Sequence, residues 1–246
     1  MQICVTGGSS GIGAAVSEAF AESGGRVFIN YHSDDAAAEK TKAMVEAKGA
    51  IAHLVKASVG TPQGVRELFE TVSTHTDRLD RLVLCAARPT PGPVLEIEPE
   101  AWIESAAVNA LSIVWAVREA LPLLKPGASV VYITSRGGRT VIPGYGGLGS
   151  AKAFAESLVR HLAYELAPRG VRMNAISPGA LDTPAFRKMY PDTWQQRLEA
   201  LIKASPAGRA MTFADVVAAI DAVSRSDLGM LQGQIIQVDG GTFLAH

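Results

Sequence analysis

The segment Thr6-Gly7-Gly8-Ser9-Ser10-Gly11-Ile12-Gly13 lies between a short apolar run, Ile3–Thr6, and a helical pattern near Gly13–Ser23. A glycine-rich turn that follows a strand and opens a helix is the setting in which backbone amides meet a phosphate. Gly7 is placed to make the tight turn, Gly11 to let amides approach a pyrophosphate, and Gly13 to let the helix pack closely on the sheet. The unpaired N–H groups of the helix's first turn, with their partial positive charge, complete an anion site. The spacing is G-x-x-x-G-x-G rather than G-x-G-x-x-G, so the dinucleotide fingerprint is met in kind and not letter by letter. The turn predicts a nicotinamide dinucleotide site, with Ser9, Ser10 and Ile12 beside the three glycines.

Outward from this turn, β-rich apolar runs alternate with longer amphipathic stretches. Strands are predicted at Ile3–Thr6, Arg26–Asn30, Ile51–Lys56, Arg81–Ala86, Ser129–Ser135, Val171–Ile176 and Gln234–Val238. Helices are predicted near Gly13–Ser23, Asp34–Lys48, Pro62–His75, Pro99–Leu124, Ser150–Ala167 and Phe213–Arg225. That alternation implies an α/β chain: one Rossmann-type, doubly wound parallel sheet of about seven strands with helices on both faces. Gly24-Gly25 and Gly49 follow helices, Pro62 and Pro99 stand near helix starts, and Pro168 closes a helix, as caps require. With no repeat or linker, residues 1–246 are expected to form a single dinucleotide-binding domain. Residues 180–208 make the one long irregular insertion, with a short helical piece near Thr193–Ala204. A loop of that length in a compact domain is expected to cover a substrate.

Composition narrows the partners. Of 246 residues, 48% are hydrophobic and 19% charged, which fits strands buried on both faces. A net charge of −1 without a basic stripe argues against a nucleic-acid partner. The five histidines are scattered and the two cysteines, Cys4 and Cys85, lie in apolar runs. No metal site is expected, and the thiols read as buried and reduced. The first predicted strand starts beside Met1, leaving no room for a signal peptide, and no apolar run approaches the ~20 residues of a membrane span. The expectation is a cytoplasmic chain with no membrane partner.

At the end of the second strand stands Asn30-Tyr31-His32-Ser33, with no carboxylate until Asp34. An acidic residue there would bond a ribose 2′-OH and repel a 2′-phosphate. Its absence favours NADPH over NADH, with Asn30, His32 and Ser33 as 2′-phosphate neighbours, although the stretch holds no Arg or Lys. Tyr31, Ser58, Val59, Pro178, Gly179, Leu181 and Thr183 complete the candidate cofactor contacts, together with Lys152.

The chain also carries Asn109 in a helical stretch, Ser135 at a strand end, Lys152 early in the next helix and Val238-Asp239-Gly240-Gly241 near the C-terminus. With the glycine turn, Pro178-Gly179 and Thr183, these resemble the short-chain dehydrogenase/reductase family over essentially the whole length. That family places a proton-donating tyrosine four residues before the lysine, where this chain has Leu148. Three residues upstream is Tyr145, giving a Tyr-x6-Lys spacing similar to the enoyl-acyl-carrier-protein reductases, particularly their type III branch. Ser135, ten residues before Tyr145, the run Pro178-Gly179-Ala180-Leu181-Asp182-Thr183 and the run Ser205-Pro206-Ala207-Gly208-Arg209 extend the similarity.

The resemblance implies hydride transfer to a C=C bond conjugated to a carbonyl, with Tyr145, Lys152, Ser135 and Asn109 as the catalytic set. Charge then develops on the carbonyl oxygen, where Tyr145 would donate. Lys152 would bind the nicotinamide ribose, Ser135 would assist, and Asn109 would kink its helix and organise water near the lysine, the alternative being an exposed helix asparagine. Gly144, Gly146, Gly147 and Gly149 predict a broken, mobile approach to Tyr145 in place of continuous helix. The alternative for Tyr145 is a loop tyrosine without a role. The family further implies a homotetramer or dimer, paired through the helices near Pro99–Leu124 and Ser150–Ala167, where Ala151, Ala153, Ala155 and Ala163 would permit close approach.

Leu84 and Cys85 stand where the family has asparagines, which puts the central sheet's hydrogen bonding in question. Arg88, Arg136 and Arg139 follow strands, either to receive a substrate carboxylate or carrier phosphopantetheine or as solvated loop residues. Phe186, Met189, Tyr190 and Trp194 make the 180–208 segment apolar. Three functions stay open. One is an NADPH-dependent enone or enoyl-thioester reductase for a small-molecule or carrier-bound substrate. Another is a carbonyl reductase drawing its proton from Ser135, Tyr145 or water, and the third is a non-catalytic dinucleotide sensor.

Overall fold

Alternating strand and helix patterns become βαβ units in space. A computed structural model describes residues 1–245. The first half runs β1 (Gln2–Thr6), α1 (Gly11–Ala19), β2 (Arg26–Tyr31), α2 (Asp35–Glu46), β3 (Ile51–Lys56), α3 (Pro62–Ser73) and β4 (Leu79–Leu84). It continues with α4 (Pro99–Ala106), a π-helical turn over Ala107–Leu111, α5 (Ser112–Ala120), β5 (Leu124–Ile133), α6 (Gly146–Leu166) and β6 (Arg172–Pro178). The short helices α7 (Pro184–Met189) and α8 (Trp194–Lys203) precede α9 (Phe213–Ser224) and β7 (Ile235–Val238).

The seven strands pair in the order β3-β2-β1-β4-β5-β6-β7, every pair parallel. Strand order reverses between β1 and β4, and the crevice beyond their C-terminal ends is where such sheets bind ligands. Side chains alternate across each strand. Leu82, Val130 and Met173 therefore join one apolar layer with Leu68, Ile113 and Val159 of α3, α5 and α6. Val83, Val131 and Ile176 join the other with Val16, Val45 and Ile220 of α1, α2 and α9. The unusual Leu84-Cys85 pair leaves the sheet intact, because its backbone still bonds: Cys85 N–H donates to the Thr6 carbonyl at 3.1 Å. Both cysteines are free, and burial pushes each thiol up to about 12.

Side-chain caps fix the starts of α2, α3, α7 and α9. Asp34 accepts from the Ala37 N–H at α2, Thr61 from the Gly64 N–H at α3, and Thr212 forms a capping box with Asp215 at α9. Like α4, α6 and α8, α1 lacks a side-chain cap among the described residues, and its first turn carries no acidic residue.

Two predicted helices differ from those observed. Pro99–Leu124 is interrupted at the π turn and ends at Ala120, because Leu124 already pairs with Leu79 in the sheet. The helix predicted from Ser150 starts at Gly146 instead, so the expected mobile approach is an ordered first turn. Its glycines serve close packing: a Cβ on Gly147 would lie 2.8 Å from Thr90 Cγ2, and one on Gly149 would lie 2.6 Å from the Gly137 carbonyl oxygen. Of the four alanines expected to admit a partner, Ala151, Ala155 and Ala163 are buried within this chain, whereas Ala153 is exposed. Among the described residues no helix is long and apolar enough to cross a membrane, and no group of three or more His, Cys, Asp or Glu could hold a metal ion.

Candidate active site

The β1–α1 connection turns where the glycines predict. Gly7 has φ +61°, and a Cβ there would stand 2.8 Å from the Ala86 Cα. A Cβ on Gly13 would be 2.1 Å from the Gly7 carbonyl oxygen, so only glycine lets α1 rise this close to the turn. Ser10 is the N-cap residue, and the Ser9 carbonyl accepts from Thr41 Oγ1 at 3.1 Å. Gly11, at φ +52°, faces Thr183: a Cβ there would be 3.2 Å from Thr183 Cγ2. Thr183 in turn caps α7 by accepting from the Phe186 N–H. The two motifs, far apart in sequence, thus meet at the C-terminal edge of the sheet.

Asn30 has a different place from the one expected. It is 2% exposed, and its amide donates to the Val55 and Ala57 carbonyls at 3.2 and 3.0 Å. Its Oδ1 accepts from the Gly7 N–H at 3.4 Å, so this side chain braces the glycine turn from below. Tyr31, His32 and Ser33 follow it toward solvent. Cross-strand pairing sets Lys56 beside Tyr31, which supplies the cation absent from the local stretch. Asp35 holds both, accepting from Lys56 Nζ and from the Tyr31 hydroxyl at 2.8 Å, and these bonds keep its carboxyl below the usual range. Ser58 and Val59 lie just beyond β3, where Ser58 Oγ accepts from the Gly60 N–H.

Ser135 and Tyr145 come together. The Tyr145 hydroxyl donates to Ser135 Oγ at 3.1 Å. Tyr145 is the N-cap residue of α6, and its ring lies on the face of Gly137, where a Cβ would come within 2.5 Å. Burial pushes its phenol up to about 12, against a smaller downward pull from the Ser135 bond. Leu148, one turn further on, is 4% exposed and packs into the interior.

Lys152 is buried, and its Nζ donates to the Ile133 carbonyl at 2.7 Å. Desolvation pulls the ammonium down to about 8, opposed by Cys85 and Glu156. Beneath it lies the ring of Tyr132, 4.6 Å away, a neighbour that a tyrosine inside an apolar strand does not advertise. The Tyr132 hydroxyl donates to the Asn109 carbonyl at 2.6 Å. The Asn109 side chain also reaches back to the Ser105 carbonyl at 2.9 Å, taking the acceptor of the ordinary helical bond and opening the π turn. It clamps Arg88 as well, accepting from its N–H and donating to its carbonyl.

A cavity of 420 Å³ opens beside the Ser135–Tyr145 pair, within the range of small-molecule sites. Pro178 and Gly179 form its floor side, Phe186 and Tyr190 come from the 180–208 segment, and Val238 and Asp239 from the end of β7. Arg136 lines it, whereas Arg88 pairs with Glu104 and Arg139 with Glu156 and Gln237. Trp194 stacks against Arg187 rather than lining the cavity. Arg197 of α8, unremarked in the sequence, lines it too.

Comparison with known proteins accords with this geometry. The family model described as enoyl-(acyl carrier protein) reductase matches residues 7–242. The 1-cyclohexenylcarbonyl-CoA reductase of Streptomyces collinus is 32% identical over 96% of this chain and 85% of its own. The crystal structure of the angucycline C-6 ketoreductase LanV with bound NADP superposes with a TM-score of 0.88 at 28% identity, covering 99% of this chain and 95% of that one. A short-chain dehydrogenase from Burkholderia cenocepacia J2315 in complex with NADP gives 0.89 at 27%, covering 98% and 97%. By its sheet order, its glycine turn and these matches, the chain belongs to the short-chain dehydrogenase/reductase family of oxidoreductases.

Proposed function

We propose that this protein reduces a C=C bond conjugated to a carbonyl, with NADPH as hydride source. One observation carries the reading. Leu148 is buried where the family keeps its phenol, and Tyr145, a turn earlier, meets Ser135 on the cavity wall. Ketone reduction leaves an alkoxide, a strong base that must take a proton. Conjugate reduction leaves an enolate, a weaker base whose oxygen is stabilised by a fixed donor while its α-carbon takes a proton from solvent. Held at about 12, the Tyr145 hydroxyl stays protonated and suits the second task. The Streptomyces relative, named as a reductase of a conjugated enoyl thioester, supports the same choice.

The turn fits a dinucleotide: its glycines leave no room for a Cβ, and the α1 N-terminus ahead of it is uncapped. Bound there, the cofactor supplies the hydride. The NADP in the two solved relatives supports NADPH. Gly7, Ser9, Ser10, Gly11, Ile12 and Gly13 would hold the pyrophosphate, with Asn30 bracing them. Tyr31, His32, Ser33, Ser58 and Val59 would surround the adenosine end; Pro178, Gly179, Leu181 and Thr183 would hold the nicotinamide end. Lys152 would bind the ribose, Ser135 would direct the Tyr145 hydroxyl, and Asn109 would position Arg88 and Tyr132. Residues 180–208 would close over the substrate.

The test pairs each enone or enoyl thioester with its matching ketone and follows NADPH consumption. Turnover of the unsaturated member is expected, falling about 10²-fold or more in Tyr145→Phe. Turnover confined to the ketones, or unchanged kinetics in Tyr145→Phe, overturns the assignment. Tight NADPH binding without any turnover would make the protein a sensor.

A further inference from the structure

Arg136 and Arg197 enter the cavity from separate parts of the chain, one directly after Ser135, the other from α8. Among the described residues neither guanidinium has a carboxylate partner within ion-pair distance, unlike Arg88, Arg139, Arg187 and Arg209. Arg197 lies 4.3 Å from the centre of the Tyr190 ring and donates to Thr193 Oγ1. Arg136 lies 5.9 Å from the Phe243 ring. Aromatic faces thus orient both groups without neutralising them. Their charges converge on the Tyr190 hydroxyl, where both oppose the upward push that burial gives that phenol.

The acids lining the same cavity are already engaged. Asp215 pairs with Arg209 and caps α9. Asp239 accepts from the Gly241 and Phe243 N–H groups, each at 2.9 Å, and from Gln237. Much of the remaining wall is apolar, including Ile142, Phe186, Leu201, Ile202 and Met211. An apolar chamber with a phenol and serine on one wall and two uncompensated guanidiniums is built for an amphipathic acid. Guanidinium forks bind planar oxyanions with two parallel hydrogen bonds.

We propose that the substrate carries an anionic group, carboxylate or phosphate, separate from the reacting carbonyl, and that Arg136 and Arg197 bind it. The proposal rests on the reading that the acceptor occupies the cavity beside Tyr145. The anion anchors the far end and so fixes which carbon faces the hydride donor. It makes the same contacts before and during the reaction, so its removal appears in KM.

One enone body is presented in four forms: free carboxylate, methyl ester, coenzyme A thioester and the uncharged N-acetylcysteamine thioester. The charged member of at least one pair is expected to have a kcat/KM about tenfold or more above its neutral match. Preference in the acid–ester pair identifies a carboxylate; preference in the thioester pair alone identifies the carrier phosphates. Arg136→Gln and Arg197→Gln should each bring the ratio toward one, whereas Arg225→Gln, at a residue paired with Asp227 away from the cavity, keeps the ratio of the unaltered protein. Equal rates within both pairs, or a ratio unchanged in both glutamine variants, overturns the proposal while leaving the reduction reading intact. Calorimetry with the saturated acid separates the two failures. Binding lost in both variants, without turnover of any enone, removes the reaction and keeps the anion site.

Discussion

Lys152, the buried cation proposed to bind the nicotinamide ribose, sits behind the cavity wall and does not line it, and its environment has a measurable cost. Among the described residues its ammonium has no carboxylate bonded to it, only the Ile133 carbonyl and the Tyr132 ring, and desolvation lowers it from 10.5 to about 8. Between those values the unfolded chain binds this proton and the folded one releases it, so stability rises with pH across that window. The charged form is the one that would serve the ribose and the developing negative charge, so kcat/KM should fall as pH rises through about 8. A pH–rate profile, with urea melts of the unaltered protein and Lys152→Met at pH 7.5 to 10 (about the interval in question), checks both signs. The variant should lose the stability slope. Ser135, Tyr145 and Lys152 were legible because their separations are set by one strand end and one helix start. Asn30 and Tyr132 were not, because what decides their roles is contact with Val55, Ala57 and Asn109, and spacing says nothing about the direction a strand side chain takes.

At the scale of elements, α6 shows where local propensity misleads. Three glycines among the first four residues of its helical run would weaken an isolated helix by roughly 1 kcal/mol each. Here they admit the 90–97 segment on one side and the 136–138 turn on the other, contacts that no local window contains. The consequence is testable through Gly149→Ala, a substitution that favours helix but places a methyl group 2.6 Å from the Gly137 carbonyl and 3.3 Å from the Tyr145 ring. We expect a loss of about 1–3 kcal/mol in stability. A fall in kcat should accompany it, with the cofactor KM nearly unchanged, since the glycine turn is elsewhere. Thermal melts with steady-state kinetics read both. The π turn at Asn109 is announced by the family resemblance and not by the local sequence: the residues are compatible with plain helix, and the Asn109–Ser105 and Asn109–Arg88 bonds accompany the turn.

For the molecule as a whole, a parallel sheet covered by helices on both faces followed from alternation, whereas the strand order did not, since right-handed crossovers fit more than one order. What alternation could not show is the outer surface. There α6 leaves Phe154 43% and Tyr164 82% exposed, with Ile103 of α4 at 69%. We expect the protein to assemble as a dimer or tetramer through the α4 and α6 face, and Phe154→Glu to shift sedimentation toward the monomer. A monomeric unaltered protein would contradict this. The position of Tyr145 at the very start of α6 has a wider bearing on how such chains are recognised. A pattern search that demands a hydroxyl four residues before the lysine meets Leu148 and scores the chain as degenerate, although a phenol stands at the cavity one turn earlier. Relatives with this offset would be sorted among the inactive members by their letters, and among the working ones by their shape.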